Sequence, residues 1–217
     1  MTENKLTEEV AAHAHGRVPR ELRRRQVLVE GRVLFVERGY HGASMDELAR
    51  RMGVSKPVVY DLAGSKERLF RDVMAMVGEE LAQRLISAVV AEPDLTRKLH
   101  AGILAFLRFV DENRAQWTAL LSALSANAGP SSDELTTLRR GQVILVAKLI
   151  SEMEGDVGTS GSSPVVEALA QAINGAVESV ALWWRDHPEI SAEALAEMLT
   201  RFLSPGLLAL EDLRSLP

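Results

Sequence analysis

The segment from Arg24 to Phe70, RRQVLVEGRVLFVERGYHGASMDELARRMGVSKPVVYDLAGSKERLF, constrains this chain more than any other. Ser44 followed by Glu47 reads as a capping box, in which each side chain satisfies a free amide at the start of a short helix. Leu48 and Met52 continue that helix inward, and Gly53 supplies a tight bend. Ser55 then reads as the cap of a second short helix. Pro57 is tolerated in its first turn because first-turn amides lack intrahelical partners. Two short helices across such a bend form a helix-turn-helix, whose second helix enters the DNA major groove.

A net charge of −5 looks wrong for a DNA binder until it is divided along the chain. Between Arg17 and Arg71 there are 13 Lys/Arg and 7 Asp/Glu, a surplus of +6, and the remainder carries −11. The positive potential is thus confined to one end of the sequence, the distribution expected of a nucleic-acid-binding head on an acidic body.

The chain as a whole reads as all-α, with about nine helices at helical apolar spacing and no period-two strand signal. Residues 1–19 lack helical periodicity and are expected to form a disordered arm. Residues 20–66 are expected to form the three-helix DNA-binding domain, and 67–217 a second helical domain. Gly31 lies on the apolar stripe of the first helix, where close approach of another helix would explain it, and Gly39 is placed to end that helix. No apolar run reads as long enough to span a bilayer, and the polar start resembles no signal peptide, so a cytoplasmic protein without a membrane partner is expected. There is no cysteine, and His13 and His15 lack acidic partners nearby, so neither a metal nor a cofactor is expected.

The segments Phe35-Val36-Glu37-Arg38-Gly39-Tyr40, Ser44 to Ala49, Gly53 to Pro57, Tyr60 and Gly64 to Phe70 resemble the DNA-binding domain of the tetracycline-repressor-like (TetR) family. The resemblance implies a homodimer with an N-terminal three-helix DNA domain and a C-terminal ligand-binding and dimerisation domain. A small-molecule effector would part the DNA heads and release a palindromic operator. Asp61, Leu62 and Ala63 depart from the family pattern, which usually has a phosphate-contacting His or Tyr where Leu62 stands and Phe where Ala63 stands. The departures imply looser packing under the second helix and repulsion of DNA by Asp61.

The residues assigned to DNA are Ser44, Met45, Ser55, Lys56, Pro57, Val58, Tyr60, Ser65 and Lys66. Lys56 and Tyr60, four apart, share a helix face and suit a guanine edge or phosphates, while Pro57 and Val58 suit thymine methyls. Ser44, Ser65 and Lys66 lie at positive helix starts that favour phosphate. The candidate ligand residues are Phe106, Phe109, Trp117, Leu121, Met153 and Trp183, with Gln142 and Asn174 as the polar groups that orient a bound molecule. For a helical dimer interface the candidates are Leu169, Ile173, Val177, Val180, Leu195, Leu199 and Phe202, the alternative being that these stripes face their own core.

No HExxH, P-loop, GxSxG or GxGxxG occurs and the histidines are scattered, so no enzyme is expected. The competing reading is a ligand sensor or protein-interaction module that has lost specific DNA binding through Asp61 and Leu62.

Overall fold

The computed structural model describes residues 18–114, 140–141, 143–148, 150 and 164–208. Among them every regular element is helical: α1 (Arg20–Gly42), α2 (Met45–Arg51), α3 (Lys56–Ala63), α4 (Lys66–Val90), α5 (Leu95–Glu112), α6 (Pro164–Trp184) and α7 (Ala192–Leu208), with further helical backbone at 143–148. They fall into two compact units, which divide inside α4 between Gly78 and Glu79 rather than at its start.

In the first unit α1 buries Val27, Gly31, Leu34 and Phe35 along one stripe. A Cβ on Gly31 would lie 3.1 Å from Leu69 Cδ1, so the glycine is there to admit α4. Phe70 meets Phe35 and Tyr40 edge-on beside that contact, at 5.2 Å and 5.1 Å between ring centroids, and Phe35 and Tyr40 stack on each other at 6.0 Å. Gly39, at φ +66°, breaks the helical backbone before the last turn of α1, a conformation open to glycine at little cost. Ser44 and Ser65 cap their helices, accepting from the amides of Glu47 and Arg68 at 3.2 Å each, while the Glu47 carboxylate turns to Arg51 and Arg38, so only the serine half of the expected capping box is seen. Ser55 does not: it holds the N-cap position of α3 without a side-chain capping bond.

In the second unit Asp94 caps α5 through the amide of Arg97 at 2.9 Å. The inward face of α5 buries Ile103, Phe106, Leu107, Phe109 and Val110. α7 packs chiefly along α5, and α6 touches both. The indole of Trp184 donates to the carbonyl of Ile190 at 2.6 Å, closing the connection between α6 and α7. His100 Nδ1 lies 3.2 Å from Thr200 Oγ1, whose hydroxyl donates to the Ala196 carbonyl.

One apolar run is longer than the sequence reading allowed. α6 is long and apolar enough, by length and composition, to cross a membrane. Its buried residues Val166, Ala170, Ile173, Val177, Ala181 and Trp184 recur every three or four positions, which is the stripe of a helix packed in a protein core.

The Gly31–Leu69 contact predicts non-additive energetics. Leu69→Ala should destabilise by about 2–5 kcal/mol. Gly31→Ala should refill part of that space, so the double variant should lose less than the two single losses together. Denaturant unfolding measures the cycle, and strict additivity would show that the two residues do not share the contact.

Candidate nucleic-acid interface

Two fully enclosed side chains, Leu48 of α2 and Val59 of α3, set the geometry of the helix-turn-helix. Met45, Ala49, Met52 and Ala63 complete the small core beneath them. Gly53, at φ +63°, makes the bend. Because Val59 and Ala63 point inward, Ser55, Lys56, Pro57, Val58, Tyr60 and Asp61 are left exposed on the other faces of α3. The missing capping bond leaves the Ser55 hydroxyl available to a ligand. Met45, assigned to DNA from sequence, is buried at 7% exposure and has little side-chain surface to offer.

Lys56 Nζ lies 2.7 Å from Asp46 Oδ1 and 6.0 Å from the Tyr60 ring centroid. The hydrogen bond with Asp46 raises its pKa, so the ammonium remains charged. Lys66 is held differently: Nζ donates to the His41 carbonyl at 3.2 Å and sits 4.7 Å from the Tyr40 ring centroid. Burial pulls its pKa down. Asp61 is not the bare repulsive charge that the sequence implied. Arg20, at the start of α1, lies 3.3 Å from its carboxylate and reaches its carbonyl at 3.4 Å. Ala63 is buried despite lacking an aromatic ring, and Leu62 is half-buried. Sequence reasoning also passed over Arg50, an exposed cation on α2 with no partner among the described residues.

An ion cluster ties α1 to α2. Arg51 reaches Glu37 at 2.5 Å and Glu47 at 2.8 Å, and Arg38 reaches Glu47 at 3.4 Å. The Arg51 hydrogen bond, joined by Arg38, holds the Glu47 carboxyl below the ordinary glutamate range.

The second unit contains a cavity of about 100 Å³. That is several times the space one water occupies. Phe106, Ile103, Leu99, Ile173 and Val177 form much of its wall, with Lys98, Asn174 and Glu178 as polar members. Of the ligand residues assigned from sequence, Phe106 and Asn174 line it. Phe109 does not; it is fully enclosed, with the Arg84 guanidinium 5.1 Å from its ring centroid. Trp183 is exposed and stacks on His187 at 4.0 Å. Trp117, Leu121, Gln142 and Met153 lie outside the described residues.

The dimer candidates divide in the same way. Ile173, Val177, Leu195 and Leu199 are buried in their own chain, the first two on the cavity wall. They therefore have little surface to offer a second copy. Leu169 and Val180 are half-buried, and Phe202 is 76% exposed. Met198, which the sequence groups with Leu195, Leu199 and Phe202 on the last helix, is exposed one turn before Phe202.

A basic three-helix head with an exposed third helix, α3, joined to a helical unit with an apolar cavity, is the build of a DNA-binding transcription regulator. The family models agree. That described as bacterial regulatory proteins, tetR family, matches residues 27–73, and that described as tetracyclin repressor-like, C-terminal domain, matches residues 95–206. The chain belongs to the tetracycline-repressor-like family. The HTH-type transcriptional activator FasR of Mycolicibacterium smegmatis is 39% identical over 97 residues, which are 45% of this chain and 44% of that protein. The chain thus spans less than half the length of that relative. The crystal structure of a TetR-like transcriptional regulator from Rhodococcus sp. RHA1 is 29% identical, with TM-score 0.62 over 88% of this chain and 99% of that one. FadR from Bacillus halodurans, a fatty acid degradation regulator, shares the fold at 16% identity and TM-score 0.68, covering 83% of this chain and 93% of its own.

The Glu47 cluster predicts acid sensitivity of the head. Folding lowers the pKa of Glu47, so the stabilisation is complete above the unfolded value and lost as pH falls through the folded one. Thermal melts at descending pH should show stability falling below the ordinary glutamate range. Glu47→Gln should melt lower at neutral pH and show a flatter acid slope, whereas an unchanged slope would remove Glu47 from this role.

Proposed function

We propose that the chain is a homodimeric repressor that reads a near-palindromic duplex through α3 and releases it when a small apolar molecule enters the cavity of the second unit. The observation that carries the DNA reading is the exposed face of α3, with Ser55, Lys56 and Tyr60 displayed around a buried Val59. Lys56 is held only by a surface pair with Asp46, in which both side chains are about half exposed (55% and 56%). Such pairs contribute about 0–1 kcal/mol, so a phosphate or guanine edge can displace Asp46. The Arg20–Asp61 pair, with side chains 73% and 64% exposed, is a surface pair that only offsets the charge behind the alternative of a sensor that has lost DNA binding.

Two heads on a two-fold axis require half-sites separated by about one helical turn, roughly 34–36 Å, or a multiple of it. Selection from random duplexes should therefore return a near-palindrome. Lys56→Ala should weaken binding by about 1–3 kcal/mol and relax preference at one position per half-site. Identical affinity and footprint for Lys56→Ala would exclude it from the reading set. Failure to select any sequence would favour the sensor reading.

For the dimer, the exposed Met198 and Phe202 on the outer face of α7, with Trp183 on α6, support an interface of those helices. Phe202→Glu should yield folded monomers in sedimentation, since an unpaired carboxylate is costly to bury. Val177→Glu should disrupt the second unit itself. A folded Phe202→Glu protein that stays dimeric places the interface elsewhere.

A further inference from the structure

The cavity of the second unit has three features that helix packing does not require. Gly102 sits inside α5 with ordinary helical φ, where glycine is less favourable than any other residue but proline. A Cβ there would meet nothing within 4 Å, so unlike Gly31 it admits no neighbouring helix. It lines the cavity, and its missing side chain is cavity space. Asn174 on α6 lines the same cavity, and its Nδ2 is buried without a hydrogen-bond partner. Buried side-chain amides are nearly always paired, so an orphaned donor on a cavity wall points to a ligand. Lys98, one turn before Gly102 on α5, is half-buried on that wall, and its ammonium has no ion-pair partner among the described residues.

We infer that the cavity binds an amphiphile with an apolar body and a carboxylate head, the carboxylate accepting from Asn174 Nδ2 and pairing with Lys98 Nζ while the body fills the space that Gly102 leaves open. The inference rests on the effector site of the proposed function. Glu178, the remaining acid on the wall, lies one turn beyond Asn174 and already has interactions within the protein. The two uncommitted polar groups are therefore both donors, which suits an acceptor-only anion and leaves a cationic head unmatched.

The probe is octanoate, titrated calorimetrically into the full chain, with 1-octanol and octylammonium as matched controls. Octanoate should bind at least about tenfold tighter than either control. Asn174→Leu should weaken octanoate by about ten- to a hundredfold, the loss of one hydrogen bond to a charged group. Lys98→Met should bring octanoate to the affinity of 1-octanol, and Gly102→Leu should block all three. Because the amide is unpaired in the free protein, Asn174→Leu should melt at the same temperature or higher, whereas a merely structural asparagine would melt lower on replacement. The inference is overturned if octanoate does not bind, if octylammonium binds as tightly, or if Asn174→Leu and Lys98→Met both retain octanoate. Operator binding measured on the same preparations separates this from the release scheme. Octanoate that binds without loosening operator leaves the site standing and removes release; intact operator binding without octanoate binding does the reverse.

Discussion

The reading face of this protein depends on the enclosure of Leu48 and Val59. Successive residues of a helix are turned by about 100°, so burying the β-branched Val59 fixes the rotation of α3 about its axis. Turned by one residue, α3 would drive Val58 or Tyr60 into the core and carry Lys56 to another face. Ala63, one turn on from Val59, repeats the constraint, and its small side chain is buried where the family resemblance implied a larger ring. The aromatic cluster of Phe35, Tyr40 and Phe70 and the Glu37–Arg51–Glu47–Arg38 ion cluster hold the neighbouring helices around this pair. Specificity for a base is thus set by packing on the opposite side of the helix.

What the sequence made legible was local. The caps at Ser44 and Ser65, the break at Gly39 and the bend at Gly53 are each determined within a few residues, and all stand in the structure. Gly31 was legible as a point of close approach, although not the leucine that approaches it. The partner of Asp61 was not legible, because Arg20 lies 41 positions earlier and only the packing of α1 brings it near. Met45 was misread for a related reason. It follows the capping serine, as a phosphate-binding position would, but helical phase turns it into the core beside Leu48.

The helices of the second unit show why pocket and interface residues resist the same reading. α6 carries two adjoining apolar stripes, one at Ile173 and Val177 that is buried and one at Leu169 and Val180 that is half-buried. Periodicity merges them, since both repeat at three and four, and only the tertiary fold separates them. Phe106 and Phe109 on α5 pose the same problem. They are three residues apart on one buried face, yet one borders a cavity and the other is closed over by Arg84. A side chain facing a void and one facing packed atoms have the same pattern in sequence. The features that tell them apart break the pattern: a glycine within a helix, or an amide within an apolar run. Asn174 was legible on those grounds; Gly102 carried the same kind of signal unread.

The charge of the head also reads differently once its pairs are known. A surplus of +6 suggests a broad basic surface, but several cations are already committed. Arg51, 23% exposed and shared between Glu37 and Glu47, is structural, and giving it up to a phosphate would loosen α2 from α1. Lys66, partly desolvated on the Tyr40 ring and bonded to a carbonyl, belongs with it. Lys56 and Arg20 are held by exposed carboxylates, and surface pairs of that kind are worth little against a phosphate. Arg50 has no partner to exchange among the described residues. The deployable charge is therefore concentrated on α2, α3 and the start of α1, while the −11 carried by the rest of the chain disfavours a duplex elsewhere. A molecule that is acidic overall can present one face to DNA because its neutralising pairs are deepest where they hold the head together and shallowest where the recognition helix is displayed.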